Sequence, residues 1–267
     1  MIKLSNNFPM SFGPNRLSLV LLLKFISEHS SATISDIVEE TGISNGKSTG
    51  KVVPFLTYLS GMGLINFSIN QNVYSFELTD FGKVIKKEDF QMSLSLTQWI
   101  CHANLCNAKW GSDVWLTFFD NWNATELRDL ERISRNSKIG KKKYTPLLAM
   151  YLNDNAFSYA QIIEHTDQID FYKRNKAPLK QEYFPGYGAI CIQLIEEMGK
   201  EQVTIPEFER KMNFSNTFGW DVIDSEIVYE KLCSLGYIKI DNFVNPKCIQ
   251  PLRTLTEAFD NLYMNVL

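Results

Sequence analysis

The chain has 267 residues, of which 45% are hydrophobic and 21% charged, the makeup of a globular protein with room for two or three cores. Its 27 Lys plus Arg stand against 30 Asp plus Glu, a net charge of -3, which excludes a uniformly basic nucleic-acid coat or a polybasic membrane binder but not a local basic face. Five scattered cysteines, and no apolar run approaching the roughly 20 residues of a spanning helix, lead us to expect reduced thiols, no membrane segment and a cytoplasmic location.

The first apolar stretch, Leu17 to Ile26, predicts a strongly apolar helix ending near Ser30. Thr33 is placed to cap a short second helix, Ile34 to Thr41, with Asp36 in its first turn and Gly42 at its C-terminal end. A third helix follows Ser44-Asn45-Gly46 and ends near Gly61 or Gly63, with Val52, Val53, Leu56 and Leu59 inward. Pro54 requires that helix to start late or to kink. Leu64 to Ile69 and Val73 to Leu78 read as two strands joined by an Asn70-Gln71-Asn72 tip, and Thr79 starts a further short helix. Three helices and a hairpin form the order of a winged helix.

The middle of the chain is aromatic. Trp99, Trp110, Trp115, Phe118, Phe119 and Trp122 recur at helical spacing and read as the core of a connecting helical layer. Residues 136–144, with Lys138, Lys141, Lys142 and Lys143, read as a solvated loop. The opening grammar then returns: Thr204-Ile205 matches Thr33-Ile34, Leu232 to Ile238 matches Leu59 to Ile65, and Leu255-Thr256 matches Leu78-Thr79. In this second copy the first helix is expected over Tyr187 to Met198 and the third over Ser225 to Leu235. The expected fold is mainly α (α+β): two winged-helix units, residues 1–87 and 186–267, joined by an aromatic-rich helical middle region, residues 88–185.

Charge divides unevenly along the chain. Residues 1–90, 91–135, 136–185 and 186–267 carry nets of 0, -1, +3 and -5, and Thr41 through Phe76 contains no acidic residue. Phosphate repulsion is therefore absent across the third helix and most of the hairpin. Gly42 to Thr49 looks like a phosphate-binding loop, but three residues rather than four separate its glycines, and a helix rather than a strand precedes it. The turn reads instead as the entry to a recognition helix. Asn45, Lys47, Ser48, Thr49 and Lys51 are then expected in the major groove, with Asn70, Gln71 and Asn72 as a wing over phosphate or minor groove. The second copy carries Asp221, Asp224, Glu226 and Glu230 on the matching helix, which suits protein partners better than DNA, with Asn216, Thr217 and Trp220 at its entrance as weaker contact candidates. Cys101, His102 and Cys106 lack the second half of a zinc site, so no metal is expected. Glu88, Asp89 and His102 are the acid–histidine set to inspect; no catalytic set and no cofactor are expected.

Gly46-Lys47-Ser48-Thr49-Gly50-Lys51-Val52, Gly61-Met62-Gly63-Leu64-Ile65, Leu78-Thr79-Asp80-Phe81-Gly82, Glu88-Asp89 and Thr97-Gln98-Trp99-Ile100-Cys101-His102 form a further pattern with Trp115, Phe119 and Phe218-Gly219-Trp220. It resembles a bacterial domain-of-unknown-function family encoded beside phosphoadenosine-phosphosulfate-reductase-like and DNA-phosphorothioation genes in phage-defence islands. The resemblance covers most of the chain and implies a context, DNA modification or defence, rather than a reaction. Departures after Gly46-Lys47 leave base preference open. Taken together, a non-catalytic protein that binds double-stranded DNA is expected. The alternative is an adaptor whose acidic C-terminal unit holds a basic partner protein of the same system. A homodimer matching a palindromic site is the common arrangement for winged helices.

Overall fold

The structure, a computed structural model, describes residues 4, 8–9, 12–44, 46 and 50–264. The chain divides into two compact units, one formed by residues 1–118 and 127–173, the other by residues 119–126 and 174–267.

In the first unit α1 (Arg16–Glu28) is capped by Asn15, whose Oδ1 accepts from Ser18 N at 3.0 Å, and buries Leu19, Val20, Leu22, Leu23, Phe25 and Ile26. A short strand, β1 (Ser31–Thr33), leads into α2 (Ile34–Thr41), where Thr33 and Asp36 form a reciprocal capping box and Gly42 closes the helix in the left-handed region. The bonds from Thr33 hold the Asp36 carboxyl below the usual carboxylate range. Then come α3 (Val52–Gly61), β2 (Ile65–Asn70), β3 (Val73–Leu78) and α4 (Asp80–Glu88). Pro54 is the third residue of α3, in the first turn where its missing N–H costs nothing, so the helix starts late rather than kinking. β2 and β3 pair antiparallel from Ile65↔Leu78 to Asn70↔Val73, and β1 adds to the far side of β3 for a sheet ordered β1-β3-β2.

The rest of that unit contains α5 (Ser95–Leu105), α6 (Asp113–Phe119), whose last residue belongs to the second unit, α7 (Leu130–Ser137) and α8 (Thr145–Leu152). It also contains β4 (Arg128–Asp129), β5 (Ile163–His165) and β6 (Phe171–Arg174), whose last residue belongs to the second unit, ordered β4-β6-β5. The expected helical layer therefore includes a three-stranded sheet. Strands of two to four residues leave too little alternation to be read from sequence.

The second unit repeats the opening order: α9 (Phe184–Glu197), β7 (Val203–Thr204), α10 (Ile205–Met212), a one-turn α11 (Phe214–Thr217), α12 (Val222–Ser234), β8 (Ile238–Asp241), β9 (Cys248–Pro251) and α13 (Leu255–Asp260). Its sheet runs β7-β9-β8, the counterpart of β1-β3-β2. Gly63 and Gly236, matched in the sequence repeat, take φ values of 79° and 71° at equivalent helix-to-strand turns. The repeat corrects in one place: the threonine that caps α13, as Thr79 caps α4, is Thr254 and not Thr256. Phe218 stacks on Trp220 at 4.6 Å and Tyr187 meets Trp220 edge-on at 4.7 Å, a core built on the Phe218-Gly219-Trp220 turn. The fold class is mixed α+β, with thirteen α-helices and three small antiparallel sheets among the described residues. Among those residues no helix is long and apolar enough to cross a membrane.

Candidate nucleic-acid interface

The first hairpin turns on two residues, Gln71 at φ 48° and Asn72 at φ 67°. Both are left-handed, as a two-residue turn matching the strand twist requires, and Asn tolerates that region better than most side chains. Tyr74 and Phe76 point inward from β3, and burial pushes the Tyr74 hydroxyl pKa up. The polar tip, Asn70, Gln71 and Asn72, is left in solvent between the exposed Ile69 and Val73.

Lys51 stands immediately before α3. Its amide donates to the Ser44 carbonyl at 2.9 Å, closing the loop, and its Nζ lies 5.7 Å from the centre of the Phe12 ring. Asn45, Lys47, Ser48 and Thr49 lie outside the described residues. α3 departs from the expected recognition helix. Only Val53 and Thr57 are half-exposed, and Val52, Pro54, Phe55, Leu56, Tyr58, Leu59, Ser60 and Gly61 are buried. The Tyr58 ring meets Phe8 at 4.6 Å and Trp115 at 6.1 Å, and Asn104 Nδ2 of α5 donates to the Met62 carbonyl at 2.8 Å. A helix covered in this way has no flank to lay in a groove.

The matching helix of the second unit is open. α12 buries Val228, Tyr229 and Leu232 and exposes Val222, Ile223 and Ile227 beside Glu226 and Glu230. Phe243, in the turn between β8 and β9, is fully exposed. Lys176 pairs with Asp221 at 2.5 Å and Asp224 at 2.6 Å, and its bond to Asp221 holds that carboxyl below its usual range. The weaker contact candidates at its entrance are structural: Thr217 and Trp220 are buried, and Asn216 donates to the Phe119 carbonyl at 3.0 Å.

Glu88, Asp89 and His102 do not converge. Asp89 accepts from Ser93 N, Leu94 N and the Ser93 and Thr97 hydroxyls, capping the start of α5, while Glu88 pairs with Lys87 at 2.6 Å. His102 is fully buried with Nδ1 2.7 Å from the Tyr151 hydroxyl, which also accepts from Trp115 Nε1 at 2.7 Å. Cys106 Sγ lies 3.8 Å from both ring nitrogens of His102. Cys101 is buried, and desolvation pushes its thiol pKa well up, which disfavours the thiolate that a metal would need. Glu28, His29 and Glu40 were not singled out by sequence, because β1 and the α1–α2 geometry bring them together; their ligand atoms lie within 4.8 Å of one another at the surface. His29 Nε2 is 3.0 Å from Glu40 Oε2, and its ring stacks on Phe25 at 4.3 Å.

Comparison with protein-family models and with curated proteins finds no match. Among solved structures, one described as magnesium ion-bound SspB superposes with a TM-score of 0.72 at 12% identity, over 96% of this chain and 87% of that one. A second SspB crystal structure gives 0.68 at 11% identity with the same coverage. The fold resembles that of SspB. At these identities the SspB likeness establishes architecture alone.

Proposed function

We propose that the chain is a DNA-binding protein of a bacterial DNA-modification or phage-defence system, and that each copy of the repeated order is a winged helix. The first approaches duplex DNA with its hairpin tip and with the loop entering α3. The observation that carries this is the exposed polar tip Asn70–Asn72 inside an acid-free window from Thr41 to Phe76. A tip of amide side chains offers donors to phosphate and base edges without repelling either. With α3 buried, this reading rests on the tip and the loop, where Lys51 supplies positive charge. The sequence resemblance supplies the cellular setting, and the SspB-like architecture spans nearly the whole chain.

Asn70→Asp with Asn72→Asp tests this directly. Asp also tolerates the left-handed turn, so the fold is kept while two negative charges enter the tip. Retention of a duplex in a low-salt mobility shift falls by about tenfold or more if the tip faces DNA. Unchanged retention overturns the assignment.

One SspB chain is described as magnesium-bound. Magnesium takes oxygen donors in near-octahedral geometry and keeps much of its water. The Glu28, His29 and Glu40 cluster offers an imidazole already held by one of its two carboxylates, and that set does not fit magnesium.

A second reading is favoured by α12. Exposed Val222, Ile223 and Ile227 beside acidic side chains describe a surface for a basic, amphipathic protein partner of the same system. Ile223→Lys then abolishes co-purification with that partner while leaving DNA retention intact; unaltered co-purification removes this reading.

A further inference from the structure

We infer that α7 and the turn after it form a second phosphate-contact surface for duplex nucleic acid in the first unit; this rests on the DNA-binding reading above. Residues 132–153 contain six basic side chains, Arg132, Arg135, Lys138, Lys141, Lys142 and Lys143, and no acidic one. α7 turns Leu130 and Ile133 inward. That leaves Arg132, Arg135 and Asn136 exposed at helical spacing, followed by exposed Lys138 and Lys142.

The exception explains the rest. Lys141 bonds to Asp170 at 2.5 Å and Glu131 at 2.8 Å, and those carboxylates raise its pKa. It fixes the turn and spends its charge inside the unit. Among the described residues no ion pair engages Arg132, Arg135, Lys138 or Lys142. The turn does not need them for its shape. Ser134 Oγ donates to the Ile139 carbonyl at 2.8 Å, Ile139 N donates to Ser137 Oγ at 3.2 Å, Ser137 Oγ meets the Tyr144 hydroxyl at 3.0 Å, and Lys143 N donates to the Gly140 carbonyl at 2.8 Å. Arg132 and Arg135 on α7 and Lys138 and Lys142 on the turn repel one another, and among the described residues none of the four is ion-paired. Their complement is an anion with closely repeated charge. Duplex DNA supplies one about every 1.7 Å of axis, and two of the four are arginines, whose planar fork matches phosphate.

The test compares the wild type with the exposed-residue variant Arg132→Gln/Arg135→Gln/Lys138→Gln/Lys142→Gln, with a circular-dichroism melt confirming that it folds. Affinity for a short mixed-sequence duplex is measured over a range of salt. We expect low-salt affinity to fall by tenfold or more and the slope of log affinity against log salt to shrink by about 2 to 3, since each lost phosphate contact removes up to about 0.9. If the wild type binds the duplex and the variant keeps both affinity and slope, this surface is overturned while the hairpin reading stands. If the wild type fails to bind the duplex, or binds only phosphatidylserine vesicles, both are overturned. A control set of exposed lysines, Lys83→Gln/Lys86→Gln, is expected to leave the slope within about one unit of the wild type; an equal loss there also overturns the assignment, because the effect would then be one of net charge.

Discussion

Asn104 fills the space that a side chain at position 63 would need. A Cβ on Gly63 would lie 2.5 Å from Asn104 Nδ2, the same nitrogen that donates to the Met62 carbonyl at 2.8 Å. Gly63 also sits at φ 79°, where L side chains are strained. The pair seats α5 over the end of α3. Gly63→Ala is expected to cost at least about 1–3 kcal/mol from the backbone alone. Asn104→Ala costs about 1–3 kcal/mol for the donor it takes from the Met62 carbonyl. In the double variant the added methyl meets empty space, so the urea-unfolding loss comes out smaller than the sum of the two. Additive losses would mean that the two residues do not share that space.

Tyr151 joins two buried groups. Its hydroxyl accepts from Trp115 Nε1 and lies 2.7 Å from His102 Nδ1, so it bridges the two rings. Tyr151→Phe keeps the ring and removes the acceptor, leaving Trp115 Nε1 without this bond in a buried site. A loss of about 1–3 kcal/mol is expected in denaturant unfolding. A loss below a few tenths would show that water replaces the hydroxyl.

The caps and turns were legible in the sequence because they are local. Thr33 with Asp36, Gly42 and Thr79 each act within four residues, and the Leu59 to Ile65 and Leu232 to Ile238 match reflects two identical left-handed turns. β1 and β7 were not, since each is a two- or three-residue edge whose partner strand comes about 40 residues later. The burial of α3 was hidden for another reason. Its cover comes from several elements, among them α1, β2 and α5, whose Asn104 donates to the Met62 carbonyl, and no pattern within α3 announces them. The exposed hairpin tip was readable from Asn70-Gln71-Asn72, whereas the α7 surface emerges only once Leu130 and Ile133 are seen to face inward.

The hairpin sets a backbone test. Asn72 holds φ 67° at the second turn position. Asn72→Gly is expected to leave stability within about 0.5 kcal/mol, whereas Asn72→Val costs about 1–3 kcal/mol because a β-branched side chain resists that region. Thermal melts of the two variants distinguish them. Equal melts would contradict the left-handed turn.

Acid exposes a fourth feature. Glu207 bonds Lys200 and Lys211, which lower its pKa from 4.5 to about 2. A carboxyl whose folded pKa is depressed stabilises the fold fully above its ordinary value, and that contribution is lost as pH falls from 4.5 toward 2. Glu207→Gln removes this dependence. The stability difference between wild type and variant is expected to be constant at neutral pH and to shrink steadily below pH 4.5. A difference that does not change with pH would show that these lysines do not set the Glu207 pKa.

The salt dependence of duplex binding by the full chain tests the central claim most directly. If the hairpin tip and its acid-free surroundings meet DNA, the wild type retains a duplex at low salt and log affinity falls linearly with log salt, while Asn70→Asp/Asn72→Asp lies well below it at every salt concentration. No retention at low salt, or coincident curves for the two proteins, would contradict the account.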